Sequence, residues 1–443
     1  MATYRNIRVV SVAAGLAVTM AACGGLTPGS DDEDNNTSPT SVSTELSDEE
    51  VTLDLAFTDG PDMVEALVAA FEDKYPQVTV NPQYTEFSSY VKNIKLTMTS
   101  DTAPDIAQYN VAMKDLIGAG HVLELDKYSE AYGWEEKFPE ISLTQLTSEP
   151  NGKTYGTGNL YGVPAGLSLT GVYYNTKLAQ QAGIDGPPAT LEEFEADLQT
   201  ANDAGLAPIE VGALDSAGLH LWAALLNVMM PQDDYRDWVN GQPGGDLTGE
   251  DAAAATQKVA DWASEGLIAP GANGTGQADA TARFAQGKAV YLMNGNWAAA
   301  QVADELVEDA GFFLMPAPEA DAPATGSGFS VSYSVSANTE NPDAAAAFLD
   351  FLASPEAAAI EAEGGFLPPN IEAAPEQTGV MADVYAALGQ VIEADGLNLY
   401  PDFAAPAAYD QQVAGLQGII AGEGDVEEFL SGVQATRDEY HGQ

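Results

Sequence analysis

Residues 51–80 read VTLDLAFTDGPDMVEALVAAFEDKYPQVTV, and this stretch decides the fold class. Val51 to Phe57 alternate between apolar and small or polar side chains, the period of a strand. Asp59-Gly60-Pro61 then turns the chain into a helix, whose apolar positions Met63, Leu67, Val68 and Phe71 share one face. Tyr75-Pro76 stops that helix and Val78-Thr79-Val80 supplies a second strand. Strand, helix and strand at this spacing predict a right-handed parallel crossover unit.

Downstream the alternation continues. A helix is expected around Tyr90 to Thr99, a short strand at Asp105-Ile106-Ala107, and another at Thr170 to Tyr174. Thr190-Leu191-Glu192-Glu193 has the form of a capping box, and Ser354-Pro355-Glu356 opens a helix with proline at its first position. No internal repeat is visible. A chain of 443 residues exceeds what one core usually organises, so the expectation is an α/β protein in two lobes.

Upstream, Arg5 and Arg8 precede the apolar run Val9 to Met20 and then Ala21, Ala22 and Cys23. That is the order of a secretory signal peptide, and the run is shorter than the roughly 20 residues a bilayer span needs. Residues 1–22 are therefore expected to direct export. Cys23 is the sole cysteine, which rules out an internal disulfide, a thiolate zinc cluster and an iron–sulfur site. Met20-Ala21-Ala22-Cys23 resembles the lipobox of bacterial lipoproteins, which implies lipidation at Cys23 and attachment to the outer face of the cell membrane. Residues 23–50 carry DDEDNN at 31–36 and then a Ser/Thr/Pro stretch, and read as a flexible, self-repelling tether.

The 67 acidic residues face only 15 basic ones, a formal net charge of -52 that repels nucleic acid and anionic membrane surfaces. Contact with a membrane is thus expected through the lipid alone, and no nucleic-acid partner is expected. Such acidity suits a soluble secreted protein or a high-salt habitat, and carries no information about a substrate.

Five separated stretches resemble the family 1 extracellular solute-binding proteins, the group that includes maltose-binding protein. They are Phe71 to Pro76 followed by Val78-Thr79-Val80; Ala103-Pro104-Asp105-Ile106; Tyr161-Gly162-Val163-Pro164 leading to Tyr173 to Leu178; Phe284 to Val290 with Asn294-Gly295-Asn296-Trp297; and Asn341-Pro342-Asp343-Ala344 to Leu352. The resemblance implies a two-lobed periplasmic-binding-protein type II fold with a hinge and an interlobe cleft. It also implies an N-terminal lobe of residues 51–167 plus 328–363 and a C-terminal lobe of 168–327 plus 364–443. A further implication is an ABC importer, with the chain as its monomeric, cofactor-free binding component, delivering a mono- or oligosaccharide to permease subunits. Ser168 stands where some sugar-binding relatives carry an acidic residue, which weighs against maltodextrin but not against the family.

A sugar site needs polar side chains for hydroxyls and aromatic rings for C–H faces. In open α/β sheets ligands lie beyond the carboxyl ends of strands. Candidates at those ends are Asp59, then Glu86 and Phe87, then Tyr109 and Asn110. Asn294, Asn296 and Trp297 match the family's G-x-W position, where tryptophan stacks on a sugar ring. Asp215 and Trp222 are candidates from the second lobe, and Gly328 with Phe329 could offer backbone amides at the returning crossover. Each has a structural alternative. Asp59 reads equally as a helix cap, Glu86 as a solvated acid and Trp297 as a core residue; the apolar neighbours of Trp222 favour core packing. Asp105 reads as a turn-fixing residue, and Trp134, Trp238 and Trp262 as helix-packing residues.

No catalytic motif emerges. Gly166 to Thr170 misses a nucleophile elbow at its last position, Gly287-Lys288-Ala289 lacks the hydroxyl residue of a phosphate loop, and HExxH is absent. No metal site is expected. The expectation is a binding protein, with a binder of a polyamine or a ferric ion as the alternative and a secreted glycoside hydrolase behind it.

Overall fold

The computed structural model describes residues 37–58, 60–108, 113–371 and 374–443; the side chains of Phe87, Ser88 and Val91 fall outside that description. The signal region, Cys23, Asp59, Tyr109 and Asn110 therefore lie outside the described residues. Nine strands form the two main sheets: β1 Val51–Phe57, β2 Val78–Tyr84, β3 Ile106–Gln108, β4 Val163–Leu167, β5 Thr170–Asn175, β6 Ala207–Glu210, β7 Ala289–Gly295, β8 Ala310–Phe313 and β9 Ser330–Val335. One sheet has the order β2-β1-β3-β9-β4 and the other β8-β5-β7-β6. The helices that matter below are α1 Pro61–Lys74, α2 Phe87–Met98, α3 Met113–Gly118, α4 Leu191–Asp203, α5 Ala217–Met229, α6 Glu250–Ser264, α7 Gln277–Ala285, α8 Pro342–Phe351, α9 Pro355–Glu363, α10 Ala408–Ile420 and α11 Val426–His441.

The opening β1-α1-β2 unit is a parallel crossover, with Val51 opposite Val78 and Phe57 opposite Tyr84. β2 runs four residues beyond the expected Val78–Val80, through Pro82. Proline is tolerated because β2 is an edge strand, where a missing N–H costs no ladder bond. Helix α1 buries Met63, Val64, Leu67, Val68 and Phe71. The Phe71 ring meets Phe348 edge-on at 5.1 Å and Phe351 at 5.9 Å, so two stretches about 280 residues apart close one core against the sheet. Gly60 caps α1 at φ 57°, with the Phe366 ring 2.8 Å from where a β-carbon would lie.

β9 returns antiparallel to both β3 and β4, which makes this sheet mixed. Asp105 has the structural role expected of it: its carboxylate accepts from Asp54 N at 2.9 Å and from the Thr339 hydroxyl. In the other sheet β5 is antiparallel to β7 and β8, while β6 is parallel to β7. Thr190 caps its helix as expected, Oγ1 accepting from Glu193 N at 3.2 Å, while the Glu193 carboxylate reaches one residue further back than a capping box requires, to Ala189 N at 2.8 Å. Ser354 likewise caps α9 through Ala357 N at 3.1 Å.

Residues 37–50 lie along the first sheet's helices, unlike a free tether. Lys127 Nζ donates to Pro39 O at 2.8 Å, Ser43 N donates to Asp343 Oδ1 at 3.0 Å, and Val42 and Leu46 pack on the core. Those two apolar side chains give the segment something to bury. Among the described residues no helix is long and apolar enough to cross a membrane.

Candidate ligand-binding site

β7 ends in Asn294-Gly295-Asn296-Trp297, and each residue of this turn has its own task. Asn294 is buried; its Nδ2 donates to Thr281 Oγ1 at 2.8 Å and its Oδ1 accepts from Gly295 N at 2.8 Å. Asn296, also buried, exchanges two bonds with Leu169 at the head of β5: Leu169 N to Asn296 Oδ1 and Asn296 N to Leu169 O, both 3.0 Å. Both asparagines therefore build the turn. Trp297 is what the turn presents, 44 % exposed, whereas Trp134, Trp222, Trp238 and Trp262 are all buried.

Around Trp297 stand residues from three further segments. Its indole N–H donates to Gln277 Oε1 at 3.0 Å, at the start of α7. The His220 ring of α5 lies 5.5 Å away at 60°, and the Tyr400 ring lies 5.1 Å beyond His220. Tyr400 OH is 3.3 Å from Ser168 Oγ, which also accepts from Phe329 N at 2.8 Å. The Phe329 ring packs on Phe403 at 4.8 Å. Here the passages from β4 to β5, from β8 to β9, and the returning segment at 397–400 meet.

The polar complement comes from Asp215 and Ser216, just before α5. Asp215 is half-buried and accepts from Gln277 N, 3.0 Å to Oδ2 and 3.2 Å to Oδ1. Gln277 Nε2 donates to Ser216 Oγ. Among the described residues six large apolar side chains are well exposed, and three of them, Leu214, Trp297 and Tyr409, border this cluster. Tyr409 is held toward Ser216, and burial raises its phenol pKa.

Electrostatics under the cluster are those of a poorly hydrated floor. Burial lowers His220 to about 3, so its imidazole is neutral, and its Nδ1 is buried without a hydrogen-bond partner. Burial likewise raises Asp402 to about 6, opposed by nearby Lys114. Lys114, on α3, is fully buried; burial lowers it to about 7, and its ammonium donates to Phe403 O and sits 4.2 Å from the Tyr155 ring centroid.

Of the other sequence candidates, Trp222 is placed in the core, its indole donating to Thr256 Oγ1 at 2.8 Å and its ring against Phe429 at 5.1 Å. Two residues earlier on the same helix, His220 faces Trp297 instead, since two residues turn a helix by about 200°. Gly328 donates its N–H to Asn398 O at 2.8 Å and accepts from Gln145 Nε2 at 3.3 Å, so its backbone is already engaged. Glu86 is exposed at the head of α2, where its carboxylate accepts from Ser89 N at 3.2 Å; the Phe87 backbone opens that helix. Sequence reasoning missed His220, Ser216, Gln277, Tyr400 and Tyr409. Only His220 had a usable signal, a polar ring inside an apolar helix.

A separate concavity of about 830 Å³ is lined by Gln145, Tyr155, Arg236, Asn240 and Asn398 among others. It lacks an exposed aromatic face: Tyr155 is buried, and Arg236 is already bonded to Asn398 at 2.6 Å and Asp395 at 2.8 Å. The Trp297 cluster is therefore the candidate site. Among the described residues no group of three His, Cys, Asp or Glu side chains could hold a metal ion.

Comparison with known proteins agrees with this architecture. A Brucella abortus (strain 2308) protein that bears a binding-protein name is 24% identical over 387 residues, 84% of this chain and 88% of its own length. Among solved structures, a chitin oligosaccharide binding protein superposes with TM-score 0.73 at 21% identity, covering 89% of this chain and 100% of that one. A family 1 extracellular solute-binding protein from Bifidobacterium longum subsp. infantis gives TM-score 0.71 at 18% identity, covering 88% and 99%. The mixed α/β fold is thus that of two-lobed solute-binding proteins, and these relatives are binding proteins rather than enzymes. The model of the bacterial extracellular solute-binding proteins matches residues 57–359, and the chain belongs to that family.

Proposed function

We propose that this chain is the extracellular binding component of an ABC importer, that it captures a neutral carbohydrate, and that the ring of Trp297 is where the sugar stacks. The observation that carries the reading is Trp297 itself: a half-exposed indole, fixed from below and at its edge, beside carboxylate, amide and hydroxyl groups. Water wets a sugar's C–H face poorly, so a fixed aromatic plane gains by covering it, while Asp215, Ser216 and their neighbours orient the hydroxyls.

Sugar binding by relatives supports the ligand class. Beside the chitin oligosaccharide binding protein stand a Listeria monocytogenes ABC substrate-binding protein in complex with cycloalternan and a xylose/arabinose-binding protein of Haloferax volcanii. A division into lobes of 51–167 plus 328–363 and of 168–327 plus 364–443 is supported by the strands, since those of the first sheet fall in the first set and those of the second sheet within 168–327. A ligand touching both lobes favours the closed form by its differential affinity, and the closed form docks on the permease. Lipidation of Cys23 keeps the protein at the outer membrane face.

The test is a thermal-shift screen of the purified chain against sugars, followed by calorimetric titration of each hit. A tight sugar at 100 times its Kd adds about 2.7 kcal/mol of stability. The reading fails if no sugar moves the melting point while a polyamine or ferric salt does, or if Trp297→Ala leaves sugar affinity unchanged.

A further inference from the structure

The exposed indole could in principle swing about two side-chain torsions, and a stacking platform that swings loses affinity to the entropy of being fixed. Three contacts restrain it. Gly295 removes the side chain that would otherwise occupy its underside, and His220 stands beside it at 5.5 Å. The third is Gln277, and it is the only directional one: Oε1 accepts the indole N–H at 3.0 Å while Nε2 donates to Ser216 Oγ. Its own backbone N–H is fixed on the Asp215 carboxylate at 3.0 Å. One amide thus joins the turn after β7, the start of α7 and the start of α5. Because the amide oxygen is committed to Trp297 and the nitrogen to Ser216, its orientation is fixed at both ends.

We propose that Gln277 is the positioning residue of the site: it sets the plane of Trp297 relative to the Asp215–Ser216 hydroxyl-binding edge, and so sets which face and orientation of a pyranose or furanose ring the protein accepts. The inference rests on the reading of Trp297 as the sugar platform. Gln277 acts through the indole and need not touch the ligand.

Trp297 is the one exposed tryptophan of five, so acrylamide quenching and the fluorescence change on sugar addition report this ring. The experiment uses the purified full chain with its best-binding sugar and compares wild type, Gln277→Leu, Gln277→Glu, Ser216→Ala and Trp297→Ala. Gln277→Leu, at a half-buried helix start, is expected to keep the wild-type melting point, raise the sugar Kd about five- to tenfold and make the sugar-free emission more quenchable. Gln277→Glu keeps an acceptor for the indole and recovers most of that loss; Ser216→Ala loosens the amide and shows a smaller rise of the same sign. The proposal is overturned if Gln277→Leu binds within about twofold of wild type with unchanged quenching, or if Gln277→Glu is as weak as Gln277→Leu. Should wild type bind no sugar, or Trp297→Ala bind as wild type does, the platform reading itself fails and this inference falls with it.

Discussion

The indole of Trp297 lies so close over Gly295 that a β-carbon at residue 295 would sit 2.2 Å from the ring. Gly295 has an ordinary φ of -101°, so glycine is required there for room and not for backbone freedom. This is a physical reason for the spacing of glycine and tryptophan in the turn. Gly295→Ala must push the ring outward or bend the strand end, at a cost of about 1–3 kcal/mol. The expected result is a sugar affinity about tenfold lower, with increased acrylamide quenching. Unchanged affinity and quenching would show that the indole has another resting place.

Trp297 and Trp222 should respond oppositely to truncation. Trp222 is fully buried between Thr256 and Phe429, so Trp222→Ala is expected to cost about 3–5 kcal/mol of stability. Trp297→Ala removes a half-exposed ring and should cost under about 1 kcal/mol of stability, but about 2 kcal/mol or more of sugar binding. Urea unfolding and calorimetry on the two variants separate the roles. A Trp222→Ala protein of full stability would contradict its placement in the core.

How far the sequence could be read follows from how local each signal is. β1, α1 and β2 were legible because alternation, a 3.6-residue stripe and Pro76 all act within thirty residues. Trp297 was singled out through the family resemblance, by the match of Asn294-Gly295-Asn296-Trp297 to its G-x-W position. His220, Gln277, Tyr400 and Tyr409 were not, because what makes them a site is their meeting across segments up to about 190 residues apart. On α5 the aromatic weight of Trp222 drew attention while helical phase turned it toward Phe429, and the less conspicuous His220, itself buried, took the position beside Trp297. Asn294 and Asn296 carry the right chemistry for sugar hydroxyls, yet the Asn294 amide is spent on Thr281 and Gly295, and the Asn296 side-chain oxygen on Leu169.

Acid stability should expose two groups of opposite sign near the site, His220 buried and Asp402 half-buried. His220 is lowered to about 3 from 6.5 by burial, so between those values the unfolded chain binds a proton that the native one does not. Its contribution is fully present above 6.5 and is lost as pH falls toward 3, by about 1.4 kcal/mol per pH unit at most. Asp402 is raised to about 6 from 3.8, so its contribution is present below 3.8 and is lost as pH rises through 6. Between pH 4 and 6 the two oppose each other. Relative to wild type, His220→Leu should gain stability on acidification across that window, and Asp402→Asn should lose it. Urea midpoints at pH 4, 5 and 6 read the difference, which subtracts the many surface acids common to all three proteins. Parallel pH profiles would mean that neither group is shielded from water.

Glu361 offers the sharpest stability test, because it is a fully buried acid on α9 whose two carboxyl oxygens have no hydrogen-bond partner. Burial holds its pKa well above 4.5, so the native protein keeps the proton to a pH at which the unfolded chain has released it. Its neighbour Tyr385 is pushed up to about 12, first by burial and then by Glu361. The sign is that of a raised carboxyl: the contribution is present below 4.5 and is lost as pH rises toward the folded value. Glu361→Leu replaces an unsatisfied polar group with an apolar one of similar size, and should therefore stabilise the protein by about 1–3 kcal/mol at pH 8 and by less at pH 5. Glu361→Gln keeps the polarity without the titration, so its stability relative to wild type should rise with pH while its absolute value at pH 5 stays below that of the leucine variant. Destabilisation by leucine at both pH values would mean that the carboxyl has a partner in solution, and that α9 depends on it.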